Sequence, residues 1–270
     1  MSLRLIFPRS SVKFHTTFAR LCHNARQKLG TLSTQGLIDG LWVMGWPTAY
    51  IEGARPLAPG HKCCGRAVTL TMVPQRPDIA ADKPKGGASP EYEAFELCGP
   101  SSVIVISSVG PWESVGGDIK FLRLKQLGVS GLVTDGSVRD TDELLTYGFG
   151  CFSYSTTPKQ GPAAMQPWSV NDVINCGGVS VRPGDAIIGD QDGVVVVPAA
   201  VAANVYSIAY GREQIEEIIK EELTQNPGPP GKFYPFLSGK IKADSPLGDL
   251  LAMHGITPAN SNQFEGRADW

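Results

Sequence analysis

Residues 101–156 alternate between short apolar segments and segments with helical spacing, and this alternation restricts the folds open to the chain. The segment SSVIVISSVG (101–110) is continuously apolar at its centre, as buried strands are. Two more strand-like segments follow, GVSGLVTDG (128–136) and CFSYST (151–156). Between the three lie GGDIKFLRLKQLG (116–128) and DTDELLTYG (140–148), which are typical of helices closed by glycine. Strand–helix–strand order predicts a βαβ core with parallel strands.

Further elements are predicted on both sides of this core. A polar stretch rich in Pro and Gly, residues 74–90, is expected to be a lid or a disordered loop. The long helix predicted from Ala199 to Leu223 has an apolar stripe on one face and charged residues on the other. The other predicted elements are helices at 17–29 and from Thr34 to Met44 with Ser33 as N-cap, strands at 66–74 and within 181–198, and helices at 91–98 and near 247–255.

The predicted fold class is α/β, with one domain over residues 21–223. This domain has a βαβ core, an N-terminal helical arm and a C-terminal helix followed by a tail. Residues 1–20 are set apart as a possible targeting or extension segment, and residues 224–270 as a Pro/Gly-rich C-terminal extension. The arms at both ends are suited to packing against another subunit.

Composition and charge argue against two classes of partner. The chain has 270 residues, 42% hydrophobic and 19% charged, with a formal net charge of −2. This balance provides no basic surface for nucleic acid. No apolar run approaches the roughly 20 residues that cross a bilayer. We therefore expect neither a nucleic-acid partner nor a membrane partner.

The cysteines and histidines do not have the spacing in the sequence that is typical of zinc and similar metal sites. The chain has six cysteines and four histidines. No two cysteines form a CxxC pair, and no two histidines have HxxxH or HxH spacing. We interpret the cysteines as reduced thiols of an intracellular protein.

The N-terminus differs from the rest of the chain in charge. From Met1 to Ile38 there is no Asp or Glu, while six Arg and Lys residues lie among Ser, Thr, Phe and Leu. Such a segment is typical of a mitochondrial presequence, and here it would cover roughly residues 1–20. A basic first helix of the domain is the alternative, so the expected location is mitochondrial or cytoplasmic.

Two aspartates are predicted to face one crevice at an edge of the βαβ core. Asp118 and Asp140 each begin a helix that follows a predicted strand, and neighbouring parallel strands end at the same edge of a sheet. Arg139 lies beside Asp140 in the sequence, and its planar guanidinium can form two parallel hydrogen bonds with a substrate carboxylate. The backbone N–H groups of Ile119 and Lys120 at a helix start can also bind an anionic group.

The residue types at this edge indicate a hard divalent metal. Two carboxylates without a histidine or thiolate partner suit Mg²⁺ or Mn²⁺, with water completing the coordination. The alternative is that Asp118 and Asp140 only cap their helices, a role that Asp favours. Glycines at Gly116, Gly117 and Gly136 would let a ligand approach the backbone, which favours the metal site. Asp135 is interpreted as a turn residue.

The spacing of these residues resembles a known family signature. Gly117-Asp118, the 20 residues from Ile119 to Val138, and then Arg139-Asp140 reproduce the GD-x20-RD signature of the 4-hydroxy-4-methyl-2-oxoglutarate aldolase family. That family shares its fold with the regulators of ribonuclease activity A. The segment PGDAIIGDQDGVVVVP (183–198) also resembles the family's late strand pair, and the similarity spans roughly residues 30–223.

The resemblance implies a fold and an activity. The implied fold is of the swivelling β/β/α type, assembled as homotrimers or hexamers with active sites between subunits. The implied activity is Mg²⁺- or Mn²⁺-dependent retro-aldol release of pyruvate, often accompanied by oxaloacetate decarboxylation. Both reactions pass through an enolate that the metal stabilises.

The resemblance also implies roles for individual residues. Asp140 matches the direct metal ligand, and Arg139 matches the residue that binds and polarises the keto acid. Asp118 matches the carboxylate that orders metal-bound water and protonates the enolate. In the family, a late helix of the neighbouring subunit also contributes a glutamate to the site. An ungapped match that starts at Gly184 places this glutamate at Glu216.

The leading functional hypothesis is a metal-dependent lyase acting on a small 2-oxo acid. Another metal-dependent enolate reaction, such as dehydration of a sugar-derived keto acid, stays open. A non-catalytic, ring-shaped regulator that binds an RNA-processing partner is the alternative from a different class. A Schiff-base aldolase is disfavoured, because Lys120 and Lys125 fall on a predicted helix and no predicted strand carries a central lysine.

Overall fold

The computed structural model describes residues 28–47, 49–234 and 241–261. The possible targeting segment 1–20 and most of the helix predicted at 17–29 lie outside these ranges. Within them, no helix is both long enough and apolar enough to cross a membrane. None of the five cysteines described forms a disulfide bond.

An eight-stranded mixed sheet forms the centre of the domain. Its order is β1-β7-β5-β3-β2-β12-β13, and β9 pairs with the distal half of β2. Strands β2, β3, β5 and β7 are mutually parallel, which confirms the predicted βαβ core. These strands are β1 (Arg55–Pro56), β2 (Cys63–Pro74), β3 (Ser102–Ser107), β5 (Gly131–Thr134), β7 (Gly150–Ser153), β9 (Met165–Val170), β12 (Ala186–Asp190) and β13 (Gly193–Val197).

A second, smaller sheet lies between the central strands and the helices that follow them. Its strands are β4 (Ser114–Gly116), β6 (Ser137–Val138) and β8 (Ser155–Thr156), and they are parallel to one another. Each follows a strand of the central sheet, so the helices after β3 and β5 do not start directly from that sheet. The prediction that Asp118 and Asp140 directly follow the long apolar strands is therefore wrong in detail.

The larger helices pack against one face of the central sheet. The helices are α1 (Thr34–Val43), α2 (Pro77–Ala80), α3 (Pro90–Glu96), α4 (Asp118–Leu127), α5 (Thr141–Leu145), α6 (Ala202–Gln225) and α7 (Pro246–Met253). Alternation along β3 directs Ile104 and Ile106 toward a core that includes Phe95 and Phe121. Val103 and Val105 face the opposite core, which the hairpin of β10 (Ile174–Cys176) and β11 (Val179–Val181) helps to form.

Several predicted boundaries need correction. The helix predicted at 140–148 spans only Thr141–Leu145, because Gly148 adopts a left-handed φ of 80° shortly after it. The loop 74–90 contains α2 and a 3-10 turn at Gly86–Ala88, so it is not structureless. Ser33 caps α1 as predicted, since its side chain accepts a hydrogen bond from Gly36 N at 3.0 Å.

The C-terminal extension is part of a packed unit. Leu247 and Leu251 of α7 are buried with Ile215 and Ile219 of α6 and with Phe233. This core explains how α6 extends to Gln225, two residues past the predicted end. The described part of segment 224–270 thus forms a small hydrophobic core together with the second half of α6.

Candidate active site

The short strands β4 and β6 bring the two sequence motifs together. Gly116 pairs with Val138 in this parallel ladder, and Arg139 N donates a hydrogen bond to Gly116 O at 3.0 Å. The two motifs start one residue after this Gly116–Val138 pair. The chain therefore reaches Gly117-Asp118 and Arg139-Asp140 at the same edge of the small sheet, as the sequence predicts for neighbouring parallel strands.

A cavity of about 550 Å³ opens at this edge. Six of the predicted site residues line it: Gly117, Asp118, Ile119, Lys120, Arg139 and Asp140. The 3-10 turn at Gly161–Ala163 contributes part of the opposite wall, and sequence patterns gave no indication of its position. Asp118, Arg139 and Asp140 also line an adjoining depression of about 580 Å³.

Neither aspartate caps a helix through its side chain. Asp118 is the first residue of α4, where Gly117 occupies the N-cap position without a side-chain bond. Asp140 occupies the N-cap position of α5, yet its carboxylate accepts no capping hydrogen bond. The helix-cap alternative therefore does not explain these two residues.

Asp140 has an unusual backbone conformation. Its φ of 54° and ψ of 46° lie in the left-handed region, which non-glycine residues rarely adopt. Such a residue costs about 1–2 kcal/mol relative to right-handed backbone, although aspartate tolerates it better than most. Residues held in this way cluster at functional sites.

Gly117 provides the space that Arg139 and Asp140 occupy. A Cβ atom at this position would collide with Asp140 Oδ2, would lie 2.6 Å from Arg139 Cγ and would lie 2.9 Å from Arg139 O. The φ of Gly117 is −165°, so any residue could adopt its backbone. Glycine is required here for close approach rather than for backbone freedom.

Arg139 and Asp140 form a loose pair. Arg139 Nε lies 3.3 Å from Asp140 Oδ1 and Oδ2, and each side chain is 37% exposed. An exposed pair of this kind contributes about 0–1 kcal/mol. Only Nε of the guanidinium makes this contact, so the terminal nitrogens of Arg139 can bind a carboxylate in the cavity.

Tyr147 is a site residue that the sequence did not identify. Its hydroxyl donates a hydrogen bond to Asp118 Oδ1, and its ring lies under Lys125 Nζ, which is 4.9 Å from the ring centroid. The hydrogen bond to Asp118 raises the pKa of Tyr147 to about 12. Tyr147 therefore stays protonated at physiological pH and fixes the orientation of Asp118.

Loss of the Asp118 charge should lower the pKa of Tyr147. An Asp118→Asn variant removes the negative acceptor that favours the protonated phenol, so the pKa should fall from about 12 toward tyrosine's usual value. We expect more tyrosinate absorbance at 295 nm than in the wild type at about pH 11, midway between these values. In a Tyr147→Phe background the same substitution should change nothing. Equal tyrosinate signals in wild type and Asp118→Asn would contradict the hydrogen bond.

Lys120 is held by an ion pair rather than free in the cavity. Its Nζ lies 2.8 Å from Glu91 Oε2, and both side chains are largely buried. This contact directs the ammonium group toward α3. Ile119, by contrast, has 83% of its surface exposed at the cavity, so its contribution to a ligand is the backbone N–H at the start of α4.

The donor set fits a hard cation that keeps water ligands. Among the described residues no three His, Cys, Asp or Glu side chains form a ready-made metal cage. Asp118 and Asp140 nevertheless line one cavity, and Mg²⁺ is commonly bound by one or two carboxylates plus waters and substrate. Their oxygen donors suit Mg²⁺ or Mn²⁺ better than a soft metal.

Glu216 lies apart from this cavity within one chain. It is on α6 and lines a separate cavity of about 810 Å³ together with Glu213, Glu217 and Lys220. Burial raises the pKa of Glu216 above its ordinary value, partly offset by the charge of Lys220. The family resemblance assigned this residue to a neighbouring subunit's site, and that assignment stays a prediction.

Comparison with known proteins identifies the family. Residues 34–196 match the family model described as RraA-like, Aldolase/RraA. This match covers more than half of the chain, which therefore belongs to the RraA-like family. A similar protein, uncharacterised, from Methanocaldococcus jannaschii is 34% identical over 188 residues, which are 59% of this chain and 89% of the relative.

Other relatives carry functional names of two kinds. A putative 4-hydroxy-4-methyl-2-oxoglutarate aldolase of Halalkalibacterium halodurans is 34% identical over 139 residues, which are 50% of this chain but only 62% of the relative. The crystal structure of Streptomyces coelicolor RraAS2, described as an unusual member of the RNase ES inhibitor RraA family, is 28% identical, with a TM-score of 0.67. That alignment covers 74% of this chain and 98% of RraAS2. The family thus includes proteins named as aldolases and proteins named as inhibitors.

Proposed function

We propose that the chain is a divalent-metal-dependent lyase that cleaves a 2-oxo acid, by retro-aldol release of pyruvate, by decarboxylation of oxaloacetate, or by both. The observation that carries this proposal is the convergence of Gly117-Asp118 and Arg139-Asp140 beside one cavity. Asp118 and Asp140 make no capping bonds, and within the described residues the terminal nitrogens of Arg139 make no hydrogen bond, which suits a metal and an acid group. The aldolase named among the relatives supports the same reaction class.

In this mechanism the side chains bind and orient the substrate. The Arg139 guanidinium binds the carboxylate of the 2-oxo acid, and the first-turn N–H groups of α4 provide further donors. In the retro-aldol reaction the substrate's 4-hydroxyl group gives its proton to water as the carbon–carbon bond breaks, and the carbonyl product leaves; in decarboxylation, CO₂ leaves. In both reactions the electron pair of the broken bond stays on the carbon that becomes the methyl group of pyruvate. Asp118, held by Tyr147 at Oδ1, orders a water through its other oxygen, and this water returns a proton to that carbon.

Asp140 would hold the metal directly, and Asp118 would hold it through water. A bound Mg²⁺ or Mn²⁺ supplies Lewis-acid stabilisation of the negative charge that develops on the 2-oxo group, worth several kcal/mol. The left-handed backbone at Asp140 presents its carboxylate beside Gly117 and the start of α4.

A neighbouring subunit is part of this proposal. We expect a homotrimer or hexamer in which Glu216 of one chain reaches the site of the next. The position of Glu216 on α6, beside an open cavity and away from Asp118 and Asp140, is compatible with that arrangement.

The direct test is release of pyruvate from oxaloacetate and from 4-hydroxy-4-methyl-2-oxoglutarate. We expect turnover with Mg²⁺ or Mn²⁺ that disappears with excess EDTA and returns when metal is added back. Spontaneous decarboxylation by free metal is measured without protein and subtracted. Failure to release pyruvate from either compound, with a folded, metal-loaded protein, would contradict the lyase proposal for these substrates.

Similarity to RraAS2 favours a second candidate, a regulator that binds an RNA-processing enzyme. In that role Asp118, Arg139 and Asp140 would be dispensable. Binding to a ribonuclease that persists in an Asp140→Asn variant, together with absent lyase activity in the wild type, would favour the regulator.

A further inference from the structure

A second cavity lies beneath the polar loop that precedes α3. It has a volume of about 390 Å³, and its wall comes from the loop, from the start of α3 and from β9. Gln75, Lys83, Lys85, Ser89, Tyr92 and Gln166 are among the residues that line it.

Two buried polar side chains in this wall lack partners. Gln166 and Ser89 are each only 8% exposed. Within the described part of the chain, neither the Gln166 amide nitrogen, nor its amide oxygen, nor Ser89 Oγ has a hydrogen-bond partner. Ser89 also precedes α3 without using its hydroxyl as a cap. Buried polar groups without partners are destabilising, so a pair of them beside one cavity indicates a ligand that satisfies them.

The charge of this wall favours an anion. Lys83 and Lys85 both line the cavity, and Lys83 Nζ lies 4.4 Å from the centroid of the Trp168 ring. Glu91 also lines it, but Glu91 is paired with Lys120 at 2.8 Å. The two loop lysines are therefore the charges that an incoming ligand would meet.

The second cavity adjoins the candidate active site in two places. Lys120 lines the active-site cavity and Glu91 lines the second one, so their ion pair joins the two walls. The segment 160–167 also lines both, with Gln160 and Pro162 at the first and Gln166 and Pro167 at the second. The ion pair and this segment are therefore shared walls of the two cavities.

We propose that the second cavity binds a carboxylate at the end of the substrate remote from its 2-oxo acid group. This inference rests on the proposed function and assigns the residues that recognise the second carboxylate, which oxaloacetate and 4-hydroxy-4-methyl-2-oxoglutarate both carry. The Gln166 amide N–H and the Ser89 hydroxyl donate to the two carboxylate oxygens, and Lys83 and Lys85 offset its charge. The buried groups reach the ligand after a side-chain rotation of Gln166 and a shift of the loop above it.

Calorimetric titration of the manganese-loaded protein tests the proposal with a matched ligand pair. The two ligands are 2-oxoadipate and 2-oxohexanoate, which have equal chain length and differ in whether the far end is a carboxylate or a methyl group. We expect 2-oxoadipate to bind roughly 10- to 100-fold more tightly, as hydrogen bonds to a charged group imply. In Gln166→Leu this difference should fall to a few-fold, while pyruvate affinity stays unchanged.

Gln166→Leu should fold at least as well as the wild type, because it replaces an unpartnered buried amide by an apolar side chain of similar size. Should it fail to fold, Lys83→Met provides the same test and keeps an unbranched side chain over Trp168. Arg76→Gln is the charge control, since Arg76 is exposed in the same loop and pairs with Asp78. This control should retain the full preference for 2-oxoadipate.

The outcomes separate this proposal from the one on which it rests. If pyruvate binds but 2-oxoadipate and 2-oxohexanoate bind with equal affinity, the second site is overturned and the lyase proposal stands. An undiminished preference in Gln166→Leu and Lys83→Met would overturn the assignment of these residues. No pyruvate binding by the folded, manganese-loaded protein would overturn both proposals.

Discussion

An Asp140→Asn variant should lose most of its metal affinity and nearly all of its activity while keeping its fold. Asparagine has the same shape and tolerates the left-handed backbone found at Asp140, so the substitution removes charge without forcing the chain to move. Loss of a direct ligand should weaken Mn²⁺ binding by at least about 100-fold. Loss of several kcal/mol of charge stabilisation should lower kcat/KM by roughly 1,000-fold.

The control is Asp244→Asn, which removes the same charge at an exposed position in the turn before α7. It should bind Mn²⁺ and release pyruvate as the wild type does. Circular dichroism and thermal unfolding establish that both variants are folded. Wild-type metal affinity and turnover in Asp140→Asn would remove Asp140 from the site.

A Gly117→Ala variant should be almost inactive although its substitution adds one methyl group. The new Cβ would collide with Asp140 Oδ2 and lie 2.6 Å from Arg139 Cγ, so both side chains must move. A displacement of about 1 Å in a catalytic group can cost 100-fold in rate, and we expect a loss of that order in kcat/KM. Overpacking should also lower the free energy of unfolding by about 1–3 kcal/mol.

Gly110→Ala provides the matched control for this substitution. A Cβ at Gly110 would meet no atom within 4 Å, and the backbone there is not left-handed. Gly110→Ala should therefore keep both activity and stability. Comparable activity in Gly117→Ala and Gly110→Ala would show that contact between Gly117 and the Arg139-Asp140 pair does not matter for the reaction.

The sequence predicted which motifs meet, because their meeting depends only on the parallel order and adjacency of the strands before them. Strands β2, β3, β5 and β7 have the apolar content of buried strands, and their parallel pairing brings the loops that follow them to one edge. It could not predict that the site belongs to a separate small sheet. Strands β6 and β8 have two residues each, which is too short for any periodic pattern to appear.

Residues that act through tertiary contact left no local signal. Tyr147 is 29 positions from Asp118 and falls at the end of a predicted helix, so nothing in its neighbours indicates the hydrogen bond between them. Gln166 lies on β9, which was not predicted, since Pro167 interrupts the strand pattern there. In each case the functional hypothesis required the distances and burial that only the folded chain provides.

The most direct test of the central claim is an electron paramagnetic resonance titration of Mn²⁺ with and without pyruvate. The signal of free Mn²⁺ counts the bound ions, and the signal of bound Mn²⁺ responds to a ligand in its coordination sphere. We expect one Mn²⁺ site per chain, a change in the bound signal when pyruvate is added, and loss of that change in Arg139→Ala. Saturable Mn²⁺ binding that is unaffected by pyruvate, or no binding by the folded protein, would contradict a shared site for metal and 2-oxo acid.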